Sequence, residues 1–229
     1  MTYNNIHEGM FISRPNRFIA EVEINGNIET CHVKNTGRCK ELLVPGTMVY
    51  ANFADNPNRS TKYDLVAVEK GNMLVNMDSQ APNVAFGEHL RQGLFVELGQ
   101  STRIKAEAKY GTSRFDFFVE TLTRKAFIEV KGVTLEDSGI AMFPDAPTQR
   151  GIKHLNELAT CVTDGYEAFV VFIIQMKGAS LFMPNNKTHA AFGETLAKVA
   201  DTGVKVRAFD CVVTPDSMVI DTPVPIKLT

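Results

Sequence analysis

Arg114-Phe115-Asp116-Phe117-Phe118-Val119 and Ala126-Phe127-Ile128-Glu129-Val130-Lys131 lie inside the stretch Ser113–Leu158 on which the reading of this chain turns. Both segments are rich in aromatic and branched residues, which favour the pleated, half-buried backbone of a strand. The turn residues between them, Thr121 to Lys125, predict a hairpin. Alternate residues of a strand share a face, so Glu129 and Lys131 point one way while Ile128 and Val130 point the other. Asp116 departs in the same manner from the face that carries Phe115, Phe117 and Val119. Antiparallel pairing then brings Asp116 beside Glu129 and Lys131. Two carboxylates held that close repel each other, and a divalent cation relieves the repulsion. The same three residues also fit a plain cross-strand salt bridge.

An Asp on one strand followed by Glu-x-Lys on the next resembles the PD-(D/E)xK nuclease core. In that reading Asp116, Glu129 and Lys131 are the catalytic candidates. Asp116 and Glu129 would hold Mg2+ or Mn2+, and Lys131 would orient or deprotonate the attacking water. The downstream run Phe143-Pro144-Asp145-Ala146-Pro147-Thr148-Gln149-Arg150-Gly151-Ile152-Lys153-His154-Leu155-Asn156-Glu157-Leu158, with Asn35-Thr36-Gly37-Arg38 and Pro45-Gly46 before it, makes the likeness more specific. Over nearly its whole length the chain resembles the sugar fermentation stimulation protein family of bacteria and archaea. The resemblance implies an α+β protein, with an N-terminal OB-fold β-barrel followed by a PD-(D/E)xK nuclease-like α/β domain. It also implies DNA binding tied to sugar-metabolism genes.

The chain has 229 residues, 44% of them hydrophobic, enough for one large domain or two small ones. Met1–Glu8 lacks the basic and apolar regions of a signal peptide, and the longest apolar run, Ala168–Ile174, is too short to cross a bilayer. A cytoplasmic protein without a membrane partner is expected, and the sequence gives no oligomeric state. Cys31, Cys39, Cys161 and Cys211 form no Cys-x-x-Cys pair, which argues against a zinc ribbon or a disulfide scaffold. A net charge of −2 excludes a uniformly basic coat for nucleic acid but permits a local basic groove. The lack of Trp leaves no evident platform for a sugar ring.

From Phe11 to Met77 the pattern predicts short strands over 18–24, 28–33, 47–53, 63–69 and 73–77, with Asn25-Gly26 as a hairpin turn. Five short strands without a long helix suit a small barrel. The loop Lys34-Asn35-Thr36-Gly37-Arg38-Cys39-Lys40 places cations around a glycine, a pattern that can receive phosphate. Lys34, Arg38 and Lys40 are therefore DNA-binding candidates, with Arg17 beside them and Arg14, Arg59 and Lys62 as extensions of the basic face.

Ser79–Asn83 reads as a linker, which divides the chain into residues 1–82 and 83–229. A helix is predicted over Val84–Glu97, with Glu88 as a weaker third metal-ligand candidate, and a strand over Ile104–Tyr110, with Glu107 as another. After Pro144–Thr148 the period predicts a second helix with Ile152, Leu155, Ala159 and Val162 inward. Arg150, Lys153 and His154 then fall on its outer side and are expected to touch phosphate. Glu167–Gln175 reads as a central strand, Thr188–Asp201 as a helix and Val204–Val213 as the last strand. The course of residues 216–229 is not legible.

Overall fold

The computed structural model describes residues 1–35 and 37–228; Thr36, part of the predicted phosphate loop, lies outside them. Six strands come first: β1 (Ile6–Asn16), β2 (Ile19–Ile24), β3 (Asn27–Val33), β4 (Met48–Phe53), β5 (Tyr63–Lys70) and β6 (Met73–Asn76). They form one sheet in the order β3-β2-β1-β4-β5-β6, and an extra parallel pairing of β3 with β5 closes β1–β5 into a five-stranded barrel. Asn25 and Gly26 make the predicted hairpin turn with φ of 52° and 75°. The first barrel strand is absent from the sequence expectation. β1 has no clean two-residue alternation, because its pairing with β2 is irregular on both sides of Ser13. Its Gly9 packs so closely on β2 that a Cβ there would stand 2.5 Å from Val22 Cγ1. With β1 in the barrel, β6 becomes an added edge strand.

The rest of the chain runs α1 (Ala81–Arg91), β7 (Arg103–Tyr110), β8 (Ser113–Glu120), β9 (Lys125–Val133), β10 (Leu135–Asp137), β11 (Ile140–Phe143), α2 (Gln149–Thr163), β12 (Glu167–Ile174), β13 (Leu181–Pro184), α3 (Asn186–Asp201), β14 (Lys205–Thr214) and β15 (Ser217–Pro223). The main sheet has the order β15-β14-β12-β9-β8-β7, with β9, β12 and β14 mutually parallel. Every residue of β12 after Glu167 is buried, as its unbroken apolar run predicts for a strand covered on both faces. Phe169, Val171 and Ile173 pack on the side of α1, whereas Val170, Phe172 and Ile174 join the core that includes Leu155 of α2 and Leu196 of α3. Residues 217–223, unread in the sequence, add β15 to this sheet by antiparallel pairing with β14.

Both helices next to the site start where proline chemistry and capping dictate. α1 opens at Ala81 with Pro82 in its first turn, earlier than the predicted Val84, and stops at Arg91 before Gly93 at φ 71°. Leu94–Glu97, expected to be helical, lie beyond that stop. α2 is capped by Thr148, whose side chain accepts from the Gly151 N–H at 3.0 Å.

The barrel meets the α/β domain through buried polar groups. Gln175, just past β12, donates from Nε2 to the carbonyls of Asn76 at 2.9 Å and Asp78 at 3.1 Å. Its backbone N–H donates to Val133 and its carbonyl accepts from Asn76, so the side chain is fixed at both ends. The Lys70 ammonium also reaches across, to the carboxylate and the carbonyl of Glu136.

Candidate active site and nucleic-acid interface

The β7–β8 hairpin turns over in the middle of its length, and Asp116 sits at the turnover. Phe117 and Val119 pack beneath α1, whereas Phe115 packs with Phe127 and His154 on the side of α2. The expected single face of Phe115, Phe117 and Val119 is thus divided between two cores. Opposite Asp116, Glu107 is held at φ 53°, between the regular pairs Ala106–Phe117 and Ala108–Phe115. A non-glycine residue in the left-handed region marks a local irregularity that breaks strand alternation.

The β8–β9 ladder runs from Glu120–Lys125 to Phe117–Ile128 and stops there. Beyond it the Asp116 carboxylate takes the place of the missing strand partner: Oδ2 accepts from the Val130 N–H at 2.7 Å. Its Oδ1 accepts from Asn83 Nδ2 of α1, also at 2.7 Å. Burial, and then the charge of Glu129, push the Asp116 carboxyl up to about 6 despite these hydrogen bonds.

Glu129 is 3% exposed and His154 6% exposed. Glu129 Oε1 accepts from Lys131 Nζ at 2.5 Å and faces His154 Nδ1, also at 2.5 Å. Burial raises the Glu129 carboxyl, but the His154 hydrogen bond and the Lys131 charge outweigh it and hold the group below the usual carboxylate range. Its other oxygen, Oε2, is buried with no hydrogen-bond partner. Arg150 Nε makes a long 3.5 Å contact with His154 Nε2.

Asp116, Glu129 and Lys131 therefore converge as the hairpin reading expects. Glu88 and Glu107 do not join them. Glu88 Oε2 accepts from the Met1 amino group at 2.6 Å, on a face of α1 turned away from the one presenting Asn83. Glu107 is exposed and stands 3.7 Å from Arg114. Among the described residues no cluster of three or more His, Cys, Asp or Glu is arranged to hold a metal. The donor set is instead two carboxylates, one with a buried free oxygen, which suits a hard cation with oxygen ligands. His154, assigned to the outer side of α2, is buried together with Gly151, Leu155 and Leu158. It serves the carboxylate centre, not a phosphate on the surface. Asn83, hidden in what reads as linker, carries no sequence signal beyond its place three residues into a helix.

The predicted DNA-binding residues divide in two. Arg17, Arg38 and Lys40 line one hollow of about 510 Å³ that extends to Ala146 of the α/β domain. Arg14 builds this hollow from behind, donating to the carbonyls of Arg38 at 2.6 Å, Arg17 at 2.8 Å and Asn35 at 2.9 Å. Lys34 is elsewhere, pairing at 2.5 Å with the buried carboxylate of Asp78. Its ammonium is committed to the joint between domains because Asp78 is too buried to be left unpaired. Arg59 is likewise held by Asp64, and Lys62 stands 3.8 Å from Glu29. Arg150 and Lys153 are exposed on α2 as expected, with Lys153 Nζ 3.9 Å from Glu157.

The fold defines a class: an α+β protein in which an OB-fold barrel precedes a PD-(D/E)xK nuclease-like α/β domain. Two family models match the chain, the SfsA N-terminal OB domain over residues 12–77 and the sugar fermentation stimulation protein RE domain over residues 80–217. The chain belongs to the sugar fermentation stimulation protein family. It is 58% identical over 228 residues to a sugar fermentation stimulation protein homolog of Desulfitobacterium hafniense (strain DSM 10664 / DCB-2), covering 100% of this chain and 99% of the relative. A homolog of Clostridium beijerinckii is 56% identical over 218 residues, covering 95% of this chain and 96% of the relative. The structure of Pyrococcus furiosus SfsA in complex with Ca2+ matches with a TM-score of 0.90 at 29% identity, over 99% of this chain and 98% of that one. Among the described residues no helix is long and apolar enough to cross a membrane.

Proposed function

We propose that this protein binds DNA along the basic hollow between its barrel and its α/β domain, and that Asp116, Glu129 and Lys131 form a divalent-metal-dependent phosphodiesterase centre. In this reading, by the likeness to the sugar fermentation stimulation family, the DNA binding serves the control of sugar-metabolism genes. One observation carries the reading. Glu129 Oε2 is buried without a partner while Oε1 holds both Lys131 and His154. A buried acceptor left unpaired costs about 1 to 3 kcal/mol, and a cation would satisfy it. Asp116 beside it, with its carboxyl raised to about 6, gains from the same positive charge. The Ca2+ in the Pyrococcus furiosus complex is a hard cation of the kind such oxygens take.

Mg2+ or Mn2+ held by Asp116 and Glu129 would neutralise charge at a scissile phosphate and polarise it. The chain's own groups do the rest. His154 fixes the Glu129 rotamer, leaving Oε2 free for the site. Lys131 orients the attacking water and offsets the charge that develops on the phosphate. Arg150, exposed at the start of α2, offers a guanidinium to a neighbouring phosphate.

A non-catalytic regulator is favoured by a separate observation: both Asp116 oxygens already accept hydrogen bonds, from Asn83 and Val130. Purified protein incubated with single- and double-stranded DNA, with and without Mg2+ or Mn2+, separates the two. Metal-dependent cleavage that falls about 100-fold or more in Lys131→Ala, with DNA affinity retained, supports the enzyme. DNA binding with no cleavage under either metal leaves the regulator.

A further inference from the structure

We propose that the nucleic acid taken by the basic hollow is single-stranded, with one of its bases stacked on Phe18; this rests on the DNA-binding reading above. Among the described residues Phe18 is the one aromatic ring among the large apolar side chains left exposed, at 45%. It follows Arg17 of the hollow directly, and the Arg17 guanidinium lies 4.8 Å from the ring centroid. The ring stands on a pinned backbone, since the Phe18 N–H donates to Asn16 Oδ1 at 2.8 Å and its carbonyl accepts from the Val33 N–H at 2.7 Å. An exposed, rigidly mounted ring under an arginine loses little entropy when a base stacks on it, and any base will do because every base has a π-face.

The hollow is of the right form for one strand. A volume of about 510 Å³ falls in the range that accommodates a ligand of nucleotide size. A duplex keeps its bases stacked inside and shows a protein mainly its phosphates and groove edges, so it cannot use Phe18 without being opened. Among the described residues no carboxylate pairs with Arg17, Arg38 or Lys40, which leaves their charge for phosphates. Gly37, Arg38 and Ala146 line this hollow, while Asn35 and Asp145, close to them in the chain, line a second one of about 100 Å³ together with Gly132, the neighbour of Lys131. A strand stacked at Phe18 and passing Arg38 is thereby led toward the carboxylate centre.

The test uses the full chain and fluorescence anisotropy with three labelled probes at one salt concentration: oligo-dT, an abasic strand with the same number of phosphates, and a duplex. Oligo-dT is expected to bind more tightly than the other two. Phe18→Ala should lower oligo-dT affinity by about 5- to 150-fold and leave the abasic strand unchanged, with Phe18→Tyr restoring the wild-type value. Far-UV circular dichroism confirms that the variants fold. A duplex bound as tightly as oligo-dT, or a Phe18→Ala loss equal on both single strands or absent on oligo-dT, overturns the single-strand inference alone. Failure of all three probes to bind overturns the DNA reading itself and this inference with it.

Discussion

His154 Nδ1 lies 2.5 Å from Glu129 Oε1, the same oxygen that accepts from Lys131 Nζ, so one side of the carboxylate is held twice while Oε2 is left unpaired. Groups that orient a metal ligand typically contribute 10- to 100-fold in metal affinity. His154→Ala should therefore weaken Mn2+ binding by about that factor. His154→Asn, which can place an amide N–H near the position of Nδ1, should recover part of it. Calorimetric titration with Mn2+ measures both, and equal affinity in wild type and His154→Ala would show that the histidine is only packing.

Asp116 supplies a pH signature. Its carboxyl is raised to about 6 by burial and by Glu129, from an ordinary value of 3.8. The folded state thus binds this proton more tightly than the unfolded chain does. The group is neutral in both states well below pH 3.8, and it destabilises the fold progressively as pH rises to about 6 and beyond. The full penalty is about 3 kcal/mol. Asp116→Asn should raise the melting temperature in EDTA at pH 8 and lose that advantage in acid below the ordinary Asp value. Mn2+ at pH 8 should raise the wild-type melting temperature and leave Asp116→Asn nearly unmoved.

Salt dependence distinguishes the exposed cations of the hollow and of α2 from the lysine of the joint. Each phosphate contact contributes about 0.7 to the log-log salt slope on single-stranded DNA and about 0.9 on duplex. Arg38→Ala combined with Lys153→Ala should flatten the slope by roughly 1.4 on a single strand. Lys34→Ala should leave the slope as it is and reduce stability instead, since it strands the buried Asp78 carboxylate. Isotherms at several salt concentrations, with urea melts, check the contrast; a slope change in Lys34→Ala would put that lysine back on the DNA.

Gly132 is a tightly packed point beside the joint. A Cβ there would stand 2.5 Å from Gln175 Oε1 and 2.8 Å from Pro82 Cγ. Gln175 cannot retreat without losing its hydrogen bonds to Asn76 and Asp78. Gly132→Ala should cost about 1 to 3 kcal/mol. An unchanged urea midpoint would show that Gln175 and Pro82 yield at this point.

Where a stretch met one periodic demand, its reading agreed with the structure. The apolar run of β12 had to lie covered on both faces, and Asn25-Gly26 had to reverse the chain, because no long-range contact competes with those local preferences. Asp116, Glu129 and Lys131 were legible because the two strands of one hairpin carry them, although the ladder itself ends at Phe117–Ile128. The first barrel strand was not legible, since its bulges and Gly9 answer to the packing of β2.

The amino-acid sequence by itself determined the short barrel strands, the carboxylate pair with its lysine on neighbouring strands, and the cations after β3, all of which rest on local pattern, while the two-part α+β architecture followed from the family resemblance. Only the tertiary structure decided what each charge does. His154 went to Glu129 and Lys34 to Asp78 because buried carboxylates must find partners, and which one lies within reach depends on how helix, hairpin and barrel dock. Asn83 came to Asp116 in the same way, across 33 residues, where the strands part and leave the carboxylate open to α1. Periodicity places a side chain on a face, but the choice between a surface cation and a buried partner is made by desolvation, and that depends on everything packed around it.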